Sequence, residues 1–193
     1  MLTRGKWTQI DIPNTQDLVG LQLTGEYGKV SILNIYNSQH HDATLYISDL
    51  ALRDLLNDPA TQDTDGENYV IWVGDFNRHH PMWDDERNFQ LFMNKNIDDA
   101  QLVIDIASDH GLEMALPQGK HTYYVTRNGN WTRPDNVFCT VNALEAMVRC
   151  MTVPEEWPTA LDHLPIDIHL EIPIVINKPA ESQNFRIADW DEY

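Results

Sequence analysis

The sequence predicts a layered α/β (α+β) domain, and three observations carry that prediction. A strand, a helix and a second strand follow one another between Lys29 and Asp75, the order of elements that stack in layers around one core. Short apolar runs are punctuated by turn residues, including Asn128-Gly129, the strongest short hairpin signal. Ile166, Ile168, Leu170 and Ile172 alternate with polar residues, the period of a strand with one buried face.

The elements follow in order. Residues 17–23 read as a strand, 25–28 as a turn and 29–36 as its antiparallel partner. The second strand is apolar on much of both faces, as a strand buried between layers is. Residues 43–57 have helical spacing, with Leu45, Leu52, Leu55 and Leu56 on one face, and Asp58-Pro59 ends the helix. Residues 61–68 form a polar, solvated loop. A strand begins at Val70. Residues 84–96 are irregular, anchored by Phe89, Leu91 and Phe92. A helix runs from Asp98 to Asp109, with acids in its first turn and Leu102, Val103, Ile106 and Ala107 facing the core; Gly111 follows as its C′ glycine. Short strands are expected over 112–116, 121–126, 136–140 and 148–153 before the alternating strand from Ile166. Residues 1–176 form the domain and 177–193 an acidic tail.

A chain of 193 residues predicts one domain. No apolar run approaches the roughly 20 residues of a membrane helix, and the first residues lack the apolar core of a signal peptide. Cys139 and Cys150 have neither metal-ligand spacing nor a disulfide framework, which points to buried thiols in a reducing, intracellular compartment, nucleus or cytoplasm. The net charge of −17 opposes nucleic-acid binding, because phosphate contacts rest on Lys and Arg. Arg78, Arg87, Arg127 and Arg133 lie near polar clusters, either as a local phosphate path or as solvated surface residues.

Residues 70–83 read Val-Ile-Trp-Val-Gly-Asp-Phe-Asn-Arg-His-His-Pro-Met-Trp. An apolar strand stops at Gly74 and delivers Asp75, Asn77, His79 and His80 to a sheet edge, and Pro81 prevents its continuation. Three more polar tips adjoin strands: Tyr36, Asp135 and Asp162-His163. Phosphodiester hydrolysis can use all four. Carboxylates suit a hard cation, His suits a proton-transfer or phosphate-binding role near neutral pH, a second carboxylate can orient that His, and an amide or phenol can bind a phosphoryl oxygen. Taken singly, Tyr36 is equally a core residue, Asp135 a turn cap and His163 a structural imidazole. Their joint placement at strand ends is what points to a site.

These stretches carry a resemblance. Ile71 to Asn77 resembles the Gly-Asp-Phe-Asn motif of the endonuclease/exonuclease/phosphatase superfamily; Thr132 to Phe138 resembles its Ser-Arg-Ile-Asp-Leu-Val-Phe, and Leu161 to Ile166 its Ser-Asp-His-Leu-Pro-Ile. Asn34 to Asn37 is similar to the strand bearing the active-site Tyr. His79-His80-Pro81-Met82-Trp83 and the tail from Asn184 to Trp190 resemble the non-LTR retrotransposon branch. The resemblance implies a DNase I-like four-layer sandwich of two mainly antiparallel sheets flanked by helices. It implies that Asp75 activates water or protonates the leaving oxygen, Asn77 holds the scissile phosphate, and His163 stabilises it with Asp135 orienting the ring. Tyr36 would contact phosphate, Asp162 would belong to the metal site, and Mg²⁺ or Mn²⁺ would be the cofactor. The family also begins with an Asn-bearing strand and a Glu-bearing segment. Neither fits before residue 17, so the chain is expected to lack the first strand and the metal-ligand segment. Pro134, Asn136 and Leu161 depart from the motifs.

The expected function is a metal-dependent phosphodiester hydrolase of retrotransposon-endonuclease type acting on DNA. The alternatives are an inactive DNase I-like remnant or acidic interaction domain, and a small-molecule phosphoesterase of the same superfamily.

Overall fold

A computed structural model describes residues 6–25, 28–57, 67–157 and 161–172. The chain forms β1 (Lys6–Ile10), β2 (Leu18–Gly25), β3 (Gly28–Tyr36), α1 (Ala43–Asn57), β4 (Glu67–Asp75), α2 (Asn94–Asp109), β5 (Glu113–Met114), β6 (Tyr123–Val125), β7 (Asn130–Thr132), β8 (Asp135–Cys139), α3 (Val141–Glu145), β9 (Met147–Thr152) and β10 (Ile166–Leu170). A 3-10 turn over Glu86–Leu91 precedes α2.

Six strands make one sheet in the order β1-β2-β3-β4-β8-β5. Its pairs are antiparallel except β3 with β4, the parallel strands that α1 connects. Period-two alternation sends β4 side chains to two cores. Val70 and Trp72 face the helical layer, where Leu45 and Leu52 of α1 and Val103 and Ile106 of α2 meet Leu33, Ile35 and Phe138. Tyr69 and Ile71 face the opposite way, with Val30, Val137 and Cys139, toward Ala143 of α3 and the antiparallel pair β9–β10. Helices, a large sheet and a second small sheet are thus stacked, and β4 is buried on both faces as its apolar run requires. Among the described residues no helix is long and apolar enough to cross a membrane.

The structure corrects several local expectations. A strand does precede the hairpin: β1 pairs with β2 at the sheet edge, though it carries neither Asn nor Glu. Helix α2 begins one turn earlier than Asp98, because the Asn96 side chain accepts the Met93 N–H at 3.1 Å and so fixes the entry. Asp98 and Asp99 therefore lie beyond the first turn. Helix α3 was not anticipated, being too short for a periodic signal. Residues 61–66 of the expected loop, the 26–27 turn and the tail from 173 onward lie outside the described residues.

Gly74 has φ +135°, and a Cβ there would lie 2.1 Å from the Ile35 carbonyl oxygen on the paired strand. A side chain cannot be accommodated without parting β3 from β4. Gly74→Ala should destabilise the protein by about 3 kcal/mol or more, read as a fall in the urea midpoint. An unchanged midpoint would contradict this account.

Candidate active site

The β3 and β4 tips end side by side, with Tyr36 paired to Asp75 in register. β8 begins opposite them, so Asp75 stands directly across from Asp135. Like charges facing each other on neighbouring strands repel. Burial, reinforced by the Asp135 charge, pushes the Asp75 carboxyl up to about 6.

His163 lies between the two carboxylates. Its Nδ1 is 2.9 Å from Asp135 Oδ2 and its Nε2 is 4.0 Å from Asp75 Oδ2. The hydrogen bond to Asp135, more than any other influence, raises the His163 pKa above the usual imidazole value. Backbone pairing fixes the segment: the Tyr124 N–H donates to the Asp162 carbonyl at 2.8 Å, and the Leu164 N–H to the Thr122 carbonyl at 2.7 Å. The Tyr123 ring packs on the imidazole with centroids 4.7 Å apart.

Asn77 follows Asp75 in the left-handed region at φ +50°, which Asn tolerates better than most residues. Its backbone N–H donates to Asp75 Oδ1 at 2.8 Å. Its amide donates to Asp75 Oδ2 at 3.1 Å and to the Asn37 carbonyl at 2.7 Å. Gln39 Nε2 donates to Asn77 Oδ1 at 3.0 Å, fixing which end of the amide faces Asp75.

Tyr36 is 58% exposed, and its ring borders a cavity of about 320 Å³ with Asp75, Asn77, Tyr123, Asp162 and His163. Five of the six expected residues, Tyr36, Asp75, Asn77, Asp135 and His163, thus meet at one sheet edge. Asp162 is at the cavity mouth but outside the tight cluster. Burial raises the pKa of the Tyr123 phenol, and so does its hydrogen bond to the Asp162 carboxylate.

One donor atom each from Asp75, Asp135 and His163 lies within 4.8 Å of the others. This donor set fits a divalent cation: two facing carboxylates supply the oxygens that hard cations take, and a cation relieves the repulsion that raises Asp75.

The sequence family described as endonuclease-reverse transcriptase matches residues 30–167. This chain belongs to the endonuclease-reverse transcriptase family. A comparison with curated proteins gives no match. Among solved structures, the endonuclease domain of TRAS1, a telomere-specific non-LTR retrotransposon, aligns with TM-score 0.62 at 17% identity, covering 88% of this chain and 68% of that one. The 3′-5′ exonuclease NExo from Neisseria meningitidis aligns with TM-score 0.62 at 13% identity, covering 87% and 71%. The AP endonuclease LMAP from Leishmania major gives 0.61 at 15% identity, covering 81% and 55%. These likenesses establish the fold, the DNase I-like sandwich that the motifs implied.

For this endonuclease-reverse transcriptase family member, the arginines need correction as a phosphate path. Arg78 is buried, donating to the Asp99, Ser38 and Asn77 carbonyls and pairing with Asp42. Arg133 is wholly buried, and Arg87 is paired with Asp85. Arg127 alone of the four is exposed without a described partner, at the β6–β7 turn. The two histidines after Asn77 also differ. His80 packs on Trp83, and its Nδ1 accepts the Met82 N–H, a turn-stabilising role. His79 borders the cavity. Gln39 and Tyr123 escaped the sequence reading because nothing in their local pattern separates them from ordinary surface and strand residues.

Proposed function

We propose that this chain is a divalent-metal-dependent phosphodiesterase that nicks DNA. The observation that carries the reading is the imidazole of His163 held by Asp135 on one side and facing Asp75 on the other. Asp135 fixes the ring orientation through Nδ1 and favours its protonated form, so that Nε2 offers a proton or a charge-assisted hydrogen bond to a phosphoryl oxygen. Asp75, with a pKa near neutrality, can take a proton from the attacking water. Asn77, itself held by the Gln39 amide, donates to its carboxylate and keeps it in place. The exposed Tyr36 is available to bind a phosphate oxygen from the rim. The facing carboxylates of Asp75 and Asp135, with Asp162 at the mouth, would hold Mg²⁺ or Mn²⁺, which when bound polarises the phosphoryl oxygen and offsets developing negative charge.

The test is nicking of supercoiled plasmid in Mg²⁺ or Mn²⁺ by the wild type and by His163→Ala. Open-circular product is expected from the wild type alone; equal behaviour of the two proteins removes the enzymatic reading. The −17 charge favours a smaller phosphate ester as a second reading. Comparing DNA with bis(p-nitrophenyl) phosphate as substrate separates the two.

A further inference from the structure

A second histidine–aspartate pair lies beside the first. Asp84 is 0% exposed, and its Oδ2 has no hydrogen-bond partner among the described residues. His79 Nδ1 is likewise buried and without a hydrogen-bond partner among the described residues, and the two atoms face each other at 3.8 Å. The other Asp84 oxygen is occupied by the Asn88 amide and the Asp85 N–H, both at 2.7 Å. The carboxylate is therefore rigid; its other oxygen faces His79, and the buried Arg133 guanidinium also feels its charge. Phe92 stacks on the imidazole with planes 24° apart. The ring is 31% exposed, and with Nδ1 buried, Nε2 is the nitrogen left for a ligand.

His79 does not belong to the catalytic cavity alone. Together with Gln39 and Asn77 it forms the wall shared with an adjoining cavity of about 480 Å³. That second space is lined by the exposed side chains of His40, Lys95 and Asp99, so one lysine ammonium stands beside His79 on an otherwise acidic chain, with one carboxylate near it. A simple phosphate ester would fill the first cavity and leave the second unused. A polynucleotide places another phosphate and nucleoside next to the one being cleaved.

We propose that His79, seated on the buried Asp84 carboxylate, binds the phosphate adjacent to the scissile one, so that the second cavity takes the neighbouring nucleotide. Asp84 is a positioning residue and His79 a substrate-binding residue. The site is thereby matched to a nucleic-acid strand rather than to a small ester. This rests on the phosphodiesterase reading above, which supplies the first phosphate position, but it is tested by binding rather than by cleavage.

The experiment is an NMR titration in Mg²⁺ with thymidine 3′,5′-bisphosphate and with thymidine 5′-monophosphate. The wild type should bind the bisphosphate about tenfold more tightly, the size of one charge-assisted hydrogen bond. In His79→Ala that preference should fall to within about twofold. Asp84→Asn, which keeps the imidazole but removes its anchor, should fall between the two. The His79 substitution decides alone if the buried Asp84 variant does not fold. Equal preference in wild type and His79→Ala, or no preference in the wild type, overturns the proposal. Plasmid nicking by the same wild-type sample reports separately on the function. A His79-dependent preference without nicking leaves the phosphate site standing and removes the cleavage reading.

Discussion

Asp75→Asn should abolish most phosphodiester cleavage and at the same time raise the melting temperature above pH 6. The loss of rate is expected at about 10²–10⁴-fold, the range for removal of a proton-transfer group. The gain in stability follows from the position of the carboxylate across from Asp135. Its pKa rises from 3.8 in the unfolded chain to about 6 in the fold, through burial first and the Asp135 charge second. Between those two values the native state holds more protons than the unfolded one, so stability is lost as pH rises through about 6. With Asp75 mostly enclosed but bordering a solvent-filled cavity, a cost of about 1–2 kcal/mol is reasonable. Asparagine keeps the shape and the hydrogen bond from the Asn77 N–H but carries no charge. Each kcal/mol corresponds to about 2–4 °C in a domain of this size. Thermal melts of both proteins at pH 4 and pH 8 should therefore coincide at the lower pH and separate at the higher one. Mn²⁺ should raise the wild-type melting temperature and leave the variant nearly unmoved. Equal separation at both pH values would rule out the electrostatic cause.

The second large effect is structural. Arg133→Met should cost on the order of 3–5 kcal/mol, enough to leave little folded protein at 37 °C. The guanidinium is fully buried and donates to the carbonyls of Trp83, Leu116 and Pro117 and to Asn136 Oδ1. It thereby ties the turn after His80, the turn after β5 and the start of β8 into one unit. Burial pushes its pKa down to about 10, opposed by the Asp84 charge, so it remains a cation at neutral pH. Methionine fills similar space but leaves those acceptors without donors. Lysine restores charge but has no planar fork to reach several carbonyls at once, so Arg133→Lys should recover only a small part. Urea unfolding followed by tryptophan fluorescence measures both. A midpoint within error of the wild type for Arg133→Met would show that water takes over the carbonyls.

Arg133 also shows where sequence reasoning stopped. An arginine beside a polar tip reads as surface or as a phosphate ligand, because burial of a charge depends on acceptors that come from distant turns. Helix α1 was legible to its ends because apolar spacing and a following Pro agree, and β4 because its run is apolar on both faces. The start of α2 was not, since the Asn96 cap competes with a nearer and more conspicuous pair of aspartates. At the site, strand-end placement sufficed to gather Tyr36, Asp75, Asn77, Asp135 and His163. Gln39, Tyr123 and the Asp84 anchor gain their meaning only from neighbours in space. The pairing of Asp75 with Asp135 follows from β4–β8 register, which no local pattern encodes.

The parallel β3–α1–β4 unit closes over a short span of chain, whereas the candidate centre does not. It needs β8 to add beside β4, pairing Asp75 with Asp135 far along the chain, and the segment around His163 to seat against β6. Loop-closure entropy makes such distant joins the slower ones. During refolding the protein should first form the helix-backed β3–β4 pair, and oppose the two carboxylates across the rim only when β8 docks in a later stage of assembly.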